Sequence, residues 1–391
     1  MKMMYMAFAV ALFSAMSACG QNLSDGKGDF AMSVYQQVAK EKDNGNFVFS
    51  PMSVSLALRM TAAGAQGKTL DEMLNVLGGR KTTLNHDTEK LMESIEGDGP
   101  CGAMIANAIW VQKGHGLQSR FVDTLKNYYR ADCNESDFIK ASARKKAISS
   151  INRYVSAKTK GKIGKLVDGN VIGEATRMVL ANAIYFKCDW LNPFKPSNTR
   201  ERMFHSIGGD SASLMFMAQT DNFMYFEDVD CQAVSLPYAD GRYQMLVVLP
   251  SEKMFRRVEQ RLTSVYVANL LSNMGDERVD LTLPKFKIET DVDFTEILKS
   301  MGMADAFSPF ADFSGMSKSN DLQISKVLHK AVIEVDEQGT EVASATAVAM
   351  VMKSVFRPEA KSFVADRPFV YFIVDSATQT ILFAGRYVSA N

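Results

Sequence analysis

From Gly339 to Arg357 the chain contains no proline, and from Ala343 to Ala349 no side chain is larger than valine. The tract opens with Glu337-Gln338-Gly339-Thr340-Glu341 and reaches a lone lysine, Lys353, before Pro358. A strand inside a sheet needs a backbone N–H at each paired position and side chains that alternate between two faces. Counted from Thr340, one face carries Thr340, Val342, Ser344, Thr346, Val348 and Met350. The other carries Glu341, Ala343, Ala345, Ala347, Ala349 and Val351. The charge of Glu341 lies on the second phase, so a slip of one residue would bury it. Alanine also favours helices, and composition alone leaves a helix over Ala343–Met350 open; the serine, threonine and valine content tilts toward a strand. Such a tract is soft, protease-sensitive when exposed, and able to join a sheet as a whole.

The remaining chain can build a large core. It has 391 residues, 47% of them hydrophobic, and no formal net charge, which argues against a strongly basic nucleic-acid footprint. Lys2 precedes an apolar run over residues 3–18 that ends in small residues, the anatomy of a secretory signal and too short for a stable transmembrane helix. Cys19 follows in Met16-Ser17-Ala18-Cys19-Gly20, which resembles the bacterial lipoprotein box except for Met16 in place of the usual leucine. An ordinary secretory signal with an incidental cysteine is the alternative. Lipidation at Cys19 would make an exported, membrane-anchored protein, periplasmic or at the cell surface. Residues 19–28 are polar and suit a flexible tether, and 29–391 has the even texture of one domain. Cys101, Cys133, Cys188 and Cys231 are widely spaced without a CxxC pair; two disulfides or buried free thiols both remain open.

Helices and strands are mixed without βαβ regularity, which points to α+β with antiparallel or mixed sheets. Phe30, Val34 and Val38 suggest a helix stopped at Asn44-Gly45. Ser50 and Pro51 suit a helix cap and first position, and Thr69–Glu72 has the spacing of a capping box before Gly78-Gly79. Strand-like runs fall at 104–112, 178–187, 243–249, 279–289, 369–374 and 380–388. In the fourth of these, alternation slips at Pro284, as a bulge or bend would require.

Catalytic chemistry has no local sign. The four histidines, His86, His115, His205 and His329, form no metal spacing, and there is no GxSxG elbow or phosphate-binding loop. Neither an enzyme nor a metal or cofactor is expected. Lys158–Lys165 is basic, but a short charge run without interleaved aromatic residues is more often a solvated face than a polyanion site.

Six blocks in register carry a family resemblance: 46-NFVFSPMSVSLALRMTAAGAQGKT-69, 152-NRYVSAKTKGKIGKLV-167, 181-ANAIYFKCDWLNPF-194, 281-LTLPKFKIE-289, 325-SKVLHKAVIEVDEQGTEVASATAVA-349 and 366-DRPFVYFIVDSATQTILFAGRYV-388. Together they resemble the serpin family. The resemblance implies an α+β serpin fold of three β-sheets, about eight or nine helices and an exposed reactive-centre loop. It implies a metastable, monomeric suicide-substrate inhibitor rather than an enzyme, whose cleaved loop inserts into the main sheet and traps the acyl-enzyme of a serine protease. The hinge would be Glu337, Gln338, Gly339, Thr340, Glu341, Val342 and Ala343, with Val342 replacing the usual alanine. By loop length the reactive bond would be Lys353–Ser354. A lysine there suits a trypsin-like target, while Met350, Val351 and Met352 offer sites to elastase- or chymotrypsin-like enzymes. Ser50, Ser53, Asn182 and His329 would form a polar switch controlling sheet opening, and Trp190 would mark the point of loop entry. A non-inhibitory serpin-fold lipoprotein with a carrier, chaperone or adhesion role is the alternative.

Overall fold

The structure, a computed structural model, describes residues 29–95, 101–319, 321–340 and 359–390. In the N-terminal part, Asp29 caps α1 (Phe30–Glu41) by accepting the Met32 N–H, and β1 (Phe47–Phe49) follows. Ser50 caps α2 (Pro51–Ala62) through the Ser53 N–H, with Pro51 at a position whose N–H would be unpaired anyway. Next come α3 (Gly67–Leu77), α4 (Leu84–Ile95), β2 (Gly102–Gln112), α5 (Ser119–Tyr129), β3 (Asp132–Ser136) and α6 (Ala141–Lys158). The middle of the chain is mostly strand: β4 (Met178–Asp189), β5 (Arg200–His205), β6 (Ser211–Glu227), β7 (Cys231–Pro237) and β8 (Tyr243–Pro250). After α7 (Phe255–Arg261) and α8 (Ser264–Asn273) come β9 (Gly275–Pro284), β10 (Phe286–Asp293), α9 (Thr295–Ser300) and β11 (Ile324–Val335). The described chain ends with β12 (Gly339–Thr340), β13 (Lys361–Val364), β14 (Phe369–Asp375) and β15 (Thr380–Tyr387).

Two expectations need correction. The Thr69–Glu72 spacing does not cap α3, which starts two residues earlier, after Gln66. Thr69 instead donates to Asp305 Oδ2 at 2.5 Å and accepts the Asp312 N–H, while Glu72 accepts the Asp305 N–H. The same residue types hold a distant loop rather than a helix end. The phase slip at Pro284 is not a bulge in one strand. Only Lys285 separates β9 from β10, and the two strands lie in different sheets. Proline lacks the N–H that continued pairing would use, so it ends one ladder where the chain crosses to the next.

The strands form two hydrogen-bonded networks. The larger has nine strands in the order β1-β15-β14-β8-β7-β6-β9-β13, with β5 on β6. It divides along β6: residues Ser211–Phe216 of this strand pair with β5, Phe216–Tyr225 with β9, and the C-terminal residues Met224–Glu227 with β7. Two of the three expected sheets therefore run into one another through a shared strand.

The second network has the order β10-β11-β12-β4-β2-β3. Its strand β4 is buried on both faces, which is why 178–187 reads as a near-continuous apolar run. Val179 and Ala181 pack with Ile151 of α6, and Ala183 with Val155. On the opposite face Ile184 and Phe186 pack with Val247 and Tyr371 of the larger network. Helix α6 thus lies over one face of the smaller sheet, and the two sheets press together on the other. Cys101 and Cys188 form a disulfide across the β2–β4 ladder, one residue beyond the Gly102↔Lys187 pair. Cys133 and Cys231 are free thiols. Among the described residues no helix is long and apolar enough to cross a membrane.

Candidate functional site

At the centre of the smaller sheet, β4 and β11 run parallel and pair directly from Met178↔Ile324 to Tyr185↔Val332. Beyond Tyr185 they part. The two residues of β12 sit between them, antiparallel to both, with Gly339 opposite Asp189 and Thr340 opposite both Cys188 and Val335. The sheet is therefore closed along most of its length and wedged open at one end. Two parallel neighbours can accept a strand antiparallel to each. Extending that wedge would exchange one parallel ladder for two antiparallel ones, the slightly more stable arrangement per residue.

The turn that reverses the chain from β11 into β12 is held from every side. Within it, Asp336 Oδ1 accepts the N–H groups of Gln338 and Gly339 at 2.9 and 3.3 Å, and the Asp336 N–H donates to the Gly339 carbonyl. Trp190 donates its indole N–H to the Asp336 carbonyl at 2.9 Å and its backbone N–H to the Gln338 carbonyl at 2.7 Å. Its ring stacks on Tyr238, centroids 4.6 Å apart, and the Tyr238 hydroxyl meets the Thr340 hydroxyl at 2.7 Å. Thr340 is fully buried. Gly339 passes so close to the backbone of Cys188 and Asp189 that a Cβ there would collide with the Cys188 carbonyl oxygen.

Glu337 is the charged anchor. The Lys285 ammonium donates to Oε2 at 2.6 Å, the Thr199 hydroxyl to Oε1 at 2.7 Å, and the Phe194 N–H to its carbonyl. Burial acts to raise its pKa, but the bonds from Lys285 and Thr199 outweigh it and hold the carboxyl below its usual range. Lys285 is the residue at the crossing between β9 and β10, so the crossing aims an ammonium at the turn.

A second cluster lies lower in the sheet, under the start of α2. The Ser50 N–H donates to His329 Nε2 at 3.1 Å, which leaves Nδ1 to carry the proton and donate to Asn182 Oδ1. Asn182 Nδ2 donates to the Ser53 hydroxyl at 2.6 Å, to the Ser53 carbonyl at 3.1 Å, and to Asn107 Oδ1. Burial pushes the His329 pKa down to about 3, so the ring is neutral and acts as a fixed donor–acceptor. Asn182 and His329 face each other across the β4–β11 seam, so these bonds must be remade if the seam opens.

The structure therefore brings Ser50, Ser53, Asn182 and His329 into one hydrogen-bonded group, and Trp190, Glu337, Gln338, Gly339 and Thr340 into another. Glu341, Val342, Ala343, Met350, Val351, Met352, Lys353, Ser354 and Cys19 lie outside the described residues. The intervening segment joins β12 in one sheet to β13, which pairs with β9 at the edge of the other. Asn107, Thr199, Tyr238, Lys285 and Asp336 were not anticipated. Only Asn107 left a trace, as a polar residue within an apolar strand run; the others come from loops and strand ends whose partners are distant in sequence.

The family model for serpins (serine protease inhibitors) matches residues 25–390. A serpin-like protein of Thermococcus kodakarensis is 40% identical over 92% of this chain and 84% of its own length. The leukocyte elastase inhibitor of Xenopus tropicalis is 35% identical over 94% of this chain and 100% of its own. Among solved structures, human thyroxine-binding globulin complexed with thyroxine superimposes with a TM-score of 0.86 at 30% identity, covering 94% of this chain and 98% of that one. Fold, sheet seam and sequence agree over nearly the whole length: the chain belongs to the serpin family.

Proposed function

We propose that the protein inhibits serine proteases as a suicide substrate, and that its physiological targets are trypsin-like. Family membership and a relative named as an elastase inhibitor support protease inhibition in general. The observation that carries the mechanism is the wedge: β12 has already begun a strand antiparallel to both β4 and β11. On this reading the protease attacks the loop at Lys353–Ser354, with Met350, Val351 and Met352 open to elastase-like enzymes. The lysine side chain would pair with a carboxylate at the base of the protease pocket. The freed segment then continues β12 down the seam before the acyl-enzyme can hydrolyse. Cys19 would carry the lipid that holds the exported, monomeric protein at a membrane.

The test is a denaturing gel of the protein mixed with trypsin. A band near the summed masses that survives heat and detergent is expected, together with a released peptide beginning at Ser354. Thr340→Arg should abolish that band and leave only cleaved product, because an arginine cannot be buried where Thr340 meets Tyr238. Persistence of the band in this variant refutes insertion. Clean clipping of the unaltered protein by trypsin and by elastase, without a trapped species, would favour the second reading, a non-inhibitory carrier, which the likeness to a hormone-binding globulin keeps in view. Cys19→Ala should release the protein from membranes, and its retention there would defeat the anchor.

A further inference from the structure

Three separate parts of the chain meet beside β12. Cys101 directly precedes β2, Cys188 lies near the end of β4, and Asp240 lies in the turn between β7 and β8. That turn is fixed to β4. The Ala239 N–H donates to the Asp189 carbonyl at 2.8 Å, the Leu191 N–H donates to the Pro237 carbonyl at 2.9 Å, and Trp190 pairs with Tyr238. Within the turn Asp240 Oδ1 accepts the N–H groups of Arg242 and Tyr243 at 3.0 and 3.2 Å, which sets the direction of the carboxylate. A carboxylate oxygen of Asp240 and the sulfurs of Cys101 and Cys188 all lie within 4.8 Å of one another. The cysteines are buried and Asp240 is half-buried. Among the described residues no other histidine, cysteine or acidic side chains form such a group. The two sulfurs are joined as a disulfide, and the adjoining Gly102↔Lys187 pair of the β2–β4 ladder would keep them neighbours once that bond is opened.

We propose that the reduced cysteine pair and Asp240 form a zinc site, alternative to the disulfide. A small thiol R–SH is the reductant: Cys–S–S–Cys and two R–SH give two Cys–SH and R–S–S–R. Zinc then replaces the two thiol protons, which pass to solvent. Thiolate sulfur selects against magnesium and calcium, and zinc accepts sulfur and carboxylate oxygen together. Zinc bonds of about 2.0–2.3 Å set neighbouring ligand atoms roughly 3.5 Å apart, so small side-chain rotations close the set. Three protein ligands leave a fourth position for water. Two thiolates and a carboxylate exceed the charge of the ion by one, and the Arg242 guanidinium, which Asp375 holds at 2.9 Å and Asp240 also attracts, lies close by to offset it. The disulfide ties β2 to β4 alone, whereas the metal would also tie in the β7–β8 turn of the other network. Cys188 is the β4 residue that pairs with Thr340, and Tyr238 at the base of that turn meets the Thr340 hydroxyl. The metal would therefore brace the foot of the wedge in reducing surroundings.

The test uses the full chain carrying Cys19→Ala, Cys133→Ser and Cys231→Ser, which leaves Cys101 and Cys188 as its cysteines. It is reduced with dithiothreitol, freed of reductant under nitrogen, and titrated with cobalt(II) and then zinc. One cobalt per chain is expected, with sulfur-to-cobalt charge-transfer absorption that zinc abolishes, and the oxidised protein should show neither. Zinc uptake by the reduced protein should release about two protons. Asp240→Asn in the same background should still form the disulfide in air yet bind zinc at least about tenfold more weakly, the smallest cost expected even for an outer partner of a metal site. Absence of one-to-one binding by the reduced protein overturns the proposal. So does equal zinc affinity in Asp240→Asn, or parental affinity in a further Cys188→Ala variant.

Discussion

His329 is a histidine kept from titrating near neutral pH. Its folded pKa is depressed to about 3 by burial, whereas an unfolded histidine titrates near 6.5. Between those values the unfolded chain holds a proton that the folded chain does not, so stability is lost as pH falls from about 6.5 toward about 3. His329→Gln should flatten the dependence of unfolding free energy on pH between 6 and 4, as read by urea denaturation at several pH values; an unchanged slope would place the acid sensitivity elsewhere. Glu337 acts in the same direction at lower pH. Its depressed carboxyl contributes stability above the unfolded value of about 4.3, and this is lost as pH falls through the folded value. Gly339 is a steric counterpart. Gly339→Ala should prevent β12 from seating and shift encounters with protease from trapped complex to cleaved product on the gel. Ser50, Ser53, Asn182, His329 and Trp190 were legible only through family blocks, since an isolated histidine or asparagine carries no sign of its partners. Tyr238 and Lys285 act through loop and strand-end positions that no local pattern marks.

Regular elements were legible where one physical signal dominated. Alternation and long apolar runs located β2, β4, β8, β14 and β15, because burial of one or both faces writes itself into the side chains. The signal failed where the same residue types serve two purposes. Thr69 and Glu72 have capping chemistry but bond to the segment around Asp305 and Asp312. Pro284 interrupts alternation, yet whether the chain bends or changes sheet depends on what lies beside it. The pairing of Cys101 with Cys188 was likewise fixed by the β2–β4 register rather than by cysteine spacing. That bond closes 87 residues of chain and ties β2 to β4 beside the wedge. Replacing both cysteines by alanine should cost about 2–4 kcal/mol in denaturant unfolding. Cys133 and Cys231 have thiol pKa values pushed up to about 12 and about 11 by burial, so they should react with a thiol reagent only after denaturation.

At the scale of the molecule, the smaller sheet joins two kinds of control. The seam between β4 and β11 is locked from below by Asn182 and His329 and started from above by β12. Helix α6 covers the same sheet, and Tyr154 links it to the strand carrying Asn107, whose side chain reaches Asn182. If the seam is metastable, cutting the loop should raise the midpoint of thermal unfolding by well over 10 °C, read by circular dichroism before and after limited proteolysis. A midpoint unchanged by cleavage would mean that the cut segment does not enter the sheet.

The stacking of Trp190 on Tyr238 also makes the molecule its own optical gauge. The chain has only two tryptophans, and Trp110 is packed away beside Tyr154. Trp190 alone touches the turn from which the wedge would lengthen. Its emission should therefore follow strand advance in real time, without a label, on the timescale of the race against hydrolysis.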